Sequence, residues 1–422
     1  MKNSTNFDQA YRQLNHEQRE AVDSIGTPLL VVAGPGTGKT QVLTMRIANI
    51  LKKTDADPYS ILALTFTEAA AKNMQTRLAS LIGPTAYSVN IHTFHSFCVG
   101  VIKGYSDYFP IARDSEPLAD LEKFEILEKI ITDNSLELIK PMNAPLHYLK
   151  EIMSGISNLK REGVTPERLA EILNQEATEL HALQNQLKLG EWGLRQRNLF
   201  KQQELLEVYR WYQAALIQRQ RYDFDDMIML VVEAFQSNEL LLRVHQEKLQ
   251  YLLVDEYQDT NSAQNRVVDL LASYWPNPDL CVVGDPHQAI FRFQGASVEN
   301  ILGFVDRYPQ STIINLATGY RCSQQLYDAA HQLVSTTKIN LIDENLPDLF
   351  SALSLTDDTP ALVKTIQQSA SVTSPVTSHQ AKQQLAKLLS LPLKSESTNP
   401  QAIAVINLFA ASNQKLEAIF VA

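Results

Sequence analysis

Short runs of apolar residues recur along the chain, each followed by turn residues and then by a helical pattern. The runs lie at Leu29–Val32, Ile61–Leu64, Tyr251–Val254, Leu280–Val283 and Thr312–Leu316. Continuous apolar runs of this length are typical of parallel strands that are buried on both faces. Strands that alternate with helices predict an open, mostly parallel α/β sheet, with ligands at the carboxyl ends of the strands.

The pattern changes between residues 103 and 221, where long helical stretches carry hardly any strand signal. Leu118–Asp133 and Asn198–Gln218 show this most clearly. Apolar positions at helical spacing predict a helical subdomain inserted into the α/β domain. The first α/β domain is then predicted to consist of residues 1–102 and 222–310.

Residues 311–422 are predicted to begin a second α/β domain. A strand candidate, Ala402–Ile406, is followed by a helical pattern that has barely begun when the chain stops at Ala422. We therefore expect this second domain to be incomplete in the chain.

The composition allows two or three domains and indicates no membrane span. The chain has 422 residues, of which 45% are hydrophobic and 20% are charged, and no apolar run reaches the length that crossing a bilayer requires. Residues 1–8 lack the apolar segment of a secretory signal. Cys98, Cys281 and Cys322 lie far apart, without metal-ligand spacing. We expect a cytoplasmic protein without membrane contact, disulfide or zinc site.

A loop of small residues follows the first strand directly and ends at the start of a helix. Glycines let backbone N–H groups turn inward around phosphates, and the helix N-terminus adds positive potential. The lysine of such a loop reaches the terminal phosphates, and the next hydroxyl binds Mg²⁺. A glycine-rich turn without a ligand is the alternative, which the strand before and the helix after disfavour. The residues of this phosphate loop are Ala33, Gly34, Pro35, Gly36, Thr37, Gly38, Lys39 and Thr40.

A pair of acids follows the strand at Tyr251–Val254. ATP-hydrolysing motors need one carboxylate that holds Mg²⁺ and one that accepts a proton from the attacking water. Asp255 is the candidate for the metal and Glu256 the candidate for the general base. A strand that ends in a solvated acidic turn is the alternative for two acids alone.

The string VDEYQDTN at Val254–Asn261 resembles the second motif of the UvrD/Rep helicases of superfamily 1, and further motifs resemble that family in the family's order. They lie at Leu14–Ala21, Leu64–Arg77, His92–Phe97, Val282–Ala296 and Leu316–Ser323. With the phosphate loop, the motifs extend over most of residues 14–323. If the motif around Gln18 stood alone, it could equally be interpreted as the start of an ordinary amphipathic helix.

The resemblance implies a P-loop NTPase with a RecA-like parallel sheet, an inserted helical subdomain and an incomplete second RecA-like domain. It implies an ATP-dependent DNA helicase that moves along single-stranded DNA, 3′ to 5′, with ATP and Mg²⁺ as cofactors. Gln18 would read adenine, Tyr320 would stack on it, Gln288 would sense the γ-phosphate and Arg321 would act as an arginine finger. The implied catalytic residues are Lys39, Asp255, Glu256, Gln288 and Arg321.

The implied partner is single-stranded DNA, or a duplex with a single-stranded tail. The net charge of −10 argues against binding through bulk electrostatics, but a local groove with aromatic faces binds bases of any sequence. Core packing is the alternative for each phenylalanine taken singly. The residues assigned to DNA are Thr65, Phe66, Thr93, Phe94, His95 and Phe293.

Several positions depart from the family pattern. Gln41, Glu68, Phe293 and Gly319 replace residues that are more usual there, and the chain lacks the two last motifs of the second domain. We therefore expect nucleotide binding with slow or absent hydrolysis. A truncated module that binds nucleotide and DNA without efficient turnover stays as the alternative, and the adenine-reading residues disfavour a P-loop kinase or GTPase. The acids at 223–226 are interpreted as a solvated helix start without chemistry.

Overall fold

Six parallel strands form one sheet in the computed structural model, which describes residues 2–184, 186–288, 298–336 and 394–395. The strands are β1 (Leu29–Ala33), β2 (Ile61–Thr65), β3 (Asn90–Thr93), β4 (Tyr251–Val254), β5 (Asp279–Gly284) and β6 (Thr312–Leu316). They lie in the order β3-β2-β4-β5-β1-β6. All five apolar runs are strands of this sheet, which confirms the predicted parallel α/β class. β3 has no apolar run because it is an edge strand and three of its four residues are only half buried.

Helices connect the strands, and several of them cover the sheet. They are α1 (Lys2–Arg12), α2 (His16–Asp23), α3 (Lys39–Lys53), α4 (Glu68–Ile82), α5 (Phe94–Gly104), α6 (Asp120–Asp133), α7 (Leu149–Arg161), α8 (Pro166–Ala182), α9 (Leu189–Gln218), α10 (Asp226–Ser237), α11 (Glu239–Lys248), α12 (Ser262–Ala272), α13 (Val298–Arg307) and α14 (Gln324–Thr336). Within the described residues, no helix combines the length and apolarity needed to cross a membrane.

Both faces of the sheet are buried under helices. Leu30 and Val32 of β1 pack in the cluster that includes α5, α10 and α12. Leu29 and Val31 of the same strand pack in the cluster that includes α2 and α3. Successive side chains of a strand point to opposite faces, so a strand covered on both sides is apolar throughout. This packing explains why the strands were visible in the sequence.

Helices α6 to α9 form a separate apolar core, which includes Leu127, Ile152, Leu173 and Tyr209. The chain enters and leaves this helical bundle at one point, where the N–H of Leu118 donates to the carbonyl of Tyr222 at 2.8 Å. The bundle lies within the predicted insertion at 103–221. The exact domain boundaries stay predictions.

A buried ion cluster joins the helical bundle to the start of α10. Nζ of Lys160 lies 2.7 Å from Asp223 and 2.7 Å from Asp226, and Lys123 lies 3.4 Å from Asp223. Tyr212 donates its hydroxyl to Asp223 at 3.1 Å. Burial acts to raise the pKa of Asp223, but the two lysines outweigh it and hold that pKa well below its usual range. The interpretation of these acids as a solvated helix start was therefore wrong.

The strand at Thr312–Leu316, assigned from the sequence to a second domain, pairs with β1 and is the sixth strand of the first sheet. Beyond it, β7 (Thr318–Gly319) pairs in parallel with β8 (Lys394–Ser395). The strand candidate at Ala402–Ile406 lies outside the described residues, so the predicted second domain stays a prediction.

Candidate active site

The phosphate loop connects β1 to α3 and requires glycine at two positions. Gly36 and Gly38 have φ values of +74° and +92°, in the left-handed region that side chains disfavour. A Cβ at Gly36 would lie 2.6 Å from the Cβ of Arg321, and one at Gly38 would lie 2.9 Å from Nε2 of Gln18. The loop is therefore packed against residues from both ends of the motif series.

Lys39 lies at the first position of α3, where its side chain is largely buried. Its Nζ is 3.5 Å from Oε2 of Glu256 and donates to Oε1 of Gln288 at 3.4 Å. The amide of Gln288 in turn donates to Asp285 at 2.6 Å. The lysine, the acid and the glutamine come from three distant parts of the sequence, and the ends of β1, β4 and β5 bring them together.

Thr40 and Asp255 meet beside the lysine. The hydroxyl of Thr40 donates to Oδ2 of Asp255 at 3.4 Å. Burial, and then the neighbouring Glu256, raise the pKa of Asp255 to about 6. Asp259 nearby has its pKa raised to about 6 by the same two causes. Several acids therefore surround one lysine, and the site is short of positive charge.

The residues present fit Mg²⁺. A hydroxyl and a carboxylate are hard oxygen donors, which this ion prefers, and Mg²⁺ is usually held by one or two carboxylates together with substrate phosphates. Among the described residues, no group of three or more His, Cys, Asp or Glu side chains forms a metal cage. The ion would thus be held by Thr40 and Asp255 with the nucleotide.

Glu256 has a left-handed backbone, with φ of +48°, which costs roughly 1–2 kcal/mol in a residue other than glycine. Its Oε2 accepts a hydrogen bond from Gln258 at 2.7 Å. The Oε1 of Gln258 accepts from the N–H of Asp285 at 2.9 Å. This bridge joins the end of β4 to the end of β5 and fixes the direction of the Glu256 carboxylate.

Gln18 lies against the phosphate loop. Its Nε2 donates to the carbonyl of Thr37 at 2.9 Å, and its Oε1 accepts from the N–H of Asn15 at 3.2 Å. An amide has two N–H groups and two lone pairs, so each end keeps one position for the edge of a base. Asn15 also donates to the hydroxyl of Tyr320 at 3.0 Å. The two predicted adenine contacts are thereby neighbours.

Tyr320 and Arg321 follow β7 and lie on the phosphate loop. The N–H of Tyr320 donates to the carbonyl of Gly36 at 3.0 Å. Both side chains are exposed. The structure therefore brings both residues to the predicted nucleotide site, and their roles stay predictions.

The residues assigned to DNA binding differ in their burial and in their hydrogen-bond partners. Thr65 is buried, and its hydroxyl has no hydrogen-bond partner among the described residues. Phe66 is half buried. The hydroxyl of Thr93 caps α5 and donates to Glu68 at 2.8 Å. Phe293 lies outside the described residues.

Phe94 requires a correction, because its ring is only 2% exposed and packs in the core beneath the sheet. Core packing, the ordinary alternative for a single phenylalanine, applies here, and the ring offers no face to a base. The residue starts α5 directly after an edge strand, and nothing in its local sequence shows which way the ring turns.

His95 and Phe224 form a stacked pair, with ring centroids 3.8 Å apart and planes inclined by 24°. Burial lowers the pKa of His95 to about 4, so its ring is neutral at pH 7. Phe224 is 57% exposed. The sequence analysis assigns Phe224 no role, and the only signal for it in the sequence is an aromatic residue between the acids at positions 223 and 225.

Comparison with known proteins agrees with this geometry. The family model of the UvrD/REP helicase N-terminal domain matches residues 14–309. The chain is 36% identical over 323 residues to the ATP-dependent DNA helicase PcrA of Staphylococcus epidermidis, and 36% identical over 321 residues to that of Staphylococcus aureus. In both cases 76% of this chain matches, and it covers 40% of the relative's length. The resemblance seen in the sequence is confirmed, and the chain belongs to the UvrD/REP helicase family.

Proposed function

We propose that the chain binds ATP with Mg²⁺ and hydrolyses it as the N-terminal motor part of an ATP-dependent DNA helicase. The observation that carries this proposal is the meeting of the lysine, hydroxyl, acids and amide at one edge of the sheet: Nζ of Lys39 lies 3.5 Å from Glu256 and 3.4 Å from Gln288, and Thr40 lies 3.4 Å from Asp255. This is the set of groups that a phosphoryl-transfer site requires.

Binding would use the phosphate loop and its neighbours. The N–H groups of the loop surround the phosphates, and Lys39 leaves Glu256 for the terminal phosphates, which carry more charge. Thr40 and Asp255 would hold Mg²⁺, which neutralises phosphate charge when it is bound. Gln18 and Tyr320 bind the adenine, one through its edge and the other through its face.

Hydrolysis would use Glu256 as the general base. Gln258 holds one of its carboxylate oxygens at 2.7 Å, which leaves the other oxygen to accept the proton of the attacking water. Gln288 contacts Lys39 and senses whether a γ-phosphate is present. Arg321 supplies positive charge to the transferring phosphoryl group.

We propose that the helicase moves 3′ to 5′ along single-stranded DNA, or along the single-stranded tail of a duplex. The exposed ring of Phe224 stacks on His95, and a flat aromatic face binds bases of any sequence. Phe66 and Thr65 lie at the end of β2, which neighbours β3. The curated relatives are themselves ATP-dependent DNA helicases by name.

The decisive experiment measures ATP hydrolysis by the 422-residue chain with and without single-stranded DNA. We expect Lys39→Ala to abolish both nucleotide binding and turnover, while Lys53→Ala, on the exposed last turn of the same helix, leaves both unchanged. If Lys39→Ala changes nothing, the proposal fails. Tight binding of ATP without turnover under all conditions would instead support the module that binds nucleotide and DNA without hydrolysis.

A further inference from the structure

Two hydrogen bonds from one downstream segment hold the apex of the phosphate loop. The hydroxyl of Tyr327, on α14, donates to the carbonyl of Pro35 at 3.0 Å. The N–H of Tyr320 donates to the carbonyl of Gly36 at 3.0 Å. Tyr327 is 5% exposed, so its hydroxyl is directed into the protein at this point and does not face solvent.

These two hydrogen bonds also fix the directions of N–H groups in the phosphate loop. A trans peptide is planar, and its N–H points away from its C=O. A fixed Pro35 carbonyl therefore fixes the direction of the Gly36 N–H, and a fixed Gly36 carbonyl fixes that of the Thr37 N–H. The Thr37 N–H faces the carbonyl of Gly34 at 3.4 Å, across the loop. Holding the two carbonyls thus fixes the planes of both peptides: the Gly36 N–H points away from Tyr327, and the Thr37 N–H stays on the Gly34 carbonyl.

The same hydroxyl also connects to the segment that carries the predicted arginine finger. A Cβ at Gly36 would lie 2.8 Å from the Tyr327 hydroxyl oxygen and 3.3 Å from the backbone N of Arg321, so both atoms pack against the same point of the phosphate loop. The Tyr327 hydroxyl and the backbone of Arg321 are therefore neighbours at the apex of the phosphate loop.

Gly319 leaves the space that the ring of Tyr327 occupies. A Cβ at position 319 would lie 2.3 Å from Oη, 2.4 Å from Cζ and 2.7 Å from Cε2 of Tyr327. Real Cβ atoms do not approach other atoms so closely, so any side chain at 319 would displace the ring. The glycine and the tyrosine form a matched pair.

We propose that Tyr327 is a positioning residue of the nucleotide site, and that Gly319 makes room for it. Its hydroxyl preorganises the apex of the phosphate loop and sets the backbone of Arg321 beside it. The inference rests on the proposed function, because preorganisation matters only if the loop binds phosphates. Binding is tightened when groups are held in their bound arrangement before the ligand arrives.

The test removes only the hydroxyl, with Tyr327→Phe. Titration of the 422-residue chain with a fluorescent ATP analogue and Mg²⁺ is expected to show roughly fivefold weaker binding, the size of one hydrogen bond. Hydrogen exchange without nucleotide is expected to be faster for the amides of residues 36–38. Tyr209→Phe is the matched control, because it removes a buried hydroxyl that donates to a carbonyl at 3.2 Å in the helical bundle. We expect that variant to lose stability but to keep the parent chain's affinity for the ATP analogue and its exchange rates at residues 36–38.

Gly319→Ala is expected to weaken binding of the ATP analogue at least as much as Tyr327→Phe does. The double variant Gly319→Ala with Tyr327→Ala is expected to bind the analogue as tightly as Tyr327→Ala alone, because the added methyl group then has no ring to displace. Additive losses would remove Gly319 from the proposal. If Tyr327→Phe matches the parent chain in both affinity and exchange, the positioning role is wrong. If the parent chain itself does not bind the analogue, the proposed function fails, while the exchange measurement still decides whether Tyr327 orders the loop.

Discussion

The hydroxyl of Thr40 donates to the carboxylate of Asp255 across 3.4 Å, although the two residues are 215 positions apart in the sequence. The contact joins the start of α3 to the end of β4, which are the two places where a Walker-type site needs its oxygen ligands. It also leaves Asp255 buried beside another acid, and among the described residues no basic side chain forms a salt bridge with it. A bound divalent cation would supply the missing charge.

We therefore predict that Asp255→Asn removes the Mg²⁺ dependence of nucleotide affinity. The parent chain is expected to bind ATP at least about tenfold more tightly with Mg²⁺ than with a chelator, as loss of a metal contact generally costs this much. The variant is expected to bind ATP equally tightly with Mg²⁺ and with a chelator. It is expected to remain folded, because burial already disfavours the charge of Asp255. Titration calorimetry measures both affinities. Asp114→Asn, an exposed acid, is the control, and retained Mg²⁺ dependence in Asp255→Asn would contradict the assignment.

Local patterns were sufficient for five of the six strands of the sheet and for the phosphate loop. Apolar runs predict strands because the sheet is covered on both faces, and the glycines, Lys39 and Thr40 are neighbours in sequence as well as in space. The direction of the Phe94 ring and the burial of Asp223 were not predictable, since both depend on partners far away in the chain. Asp223 is neutralised by Lys160, 63 positions earlier.

The ion cluster around Lys160 leads to a prediction about stability. Lys160→Met leaves Asp223 and Asp226 buried without their main cation, and a broken buried pair generally costs about 3–5 kcal/mol. We expect the free energy of unfolding, measured with urea, to fall by this amount. Arg168→Met, which removes an exposed pair with Glu171 at 2.7 Å, is expected to change it by less than about 1 kcal/mol. Equal effects of the two substitutions would show that burial of the cluster is unimportant.

Glu176 on α8 predicts a pH dependence of stability. Burial, and then Glu179, raise its pKa to about 7 from a usual value of 4.5, against an opposing effect of Arg195. The folded chain therefore binds a proton that the unfolded chain releases between these values, and stability is lost as the pH rises through this window. Glu176→Gln removes the carboxyl group, and with it the free-energy cost of ionising a buried acid.

The variant is expected to be more stable than the parent at pH 8, by on the order of 1–2 kcal/mol after allowance for partial exposure, and to equal it below about pH 4.5. Thermal unfolding at a series of pH values measures the difference. Glu171→Gln, an exposed acid on the same helix, is expected to give the pH profile of the parent. A difference that does not shrink as the pH falls would exclude titration of Glu176 as the cause.

The stacked pair of His95 and Phe224 leads to the last prediction. Phe224→Ala removes an exposed ring whose other face rests on His95, and one stacked base contributes about 1–3 kcal/mol. We expect roughly tenfold weaker binding of a labelled oligothymidine, measured by fluorescence anisotropy, with unchanged affinity for ATP. Phe200→Ala, which removes a ring that is 50% exposed on α9, is the matched control and is expected to leave both affinities unchanged. Because His95 is neutral well above its pKa of about 4, its charge cannot account for DNA affinity at pH 7. Unaltered DNA binding by Phe224→Ala would therefore remove this pair from the proposed track and leave Phe66 as the aromatic candidate among the described residues.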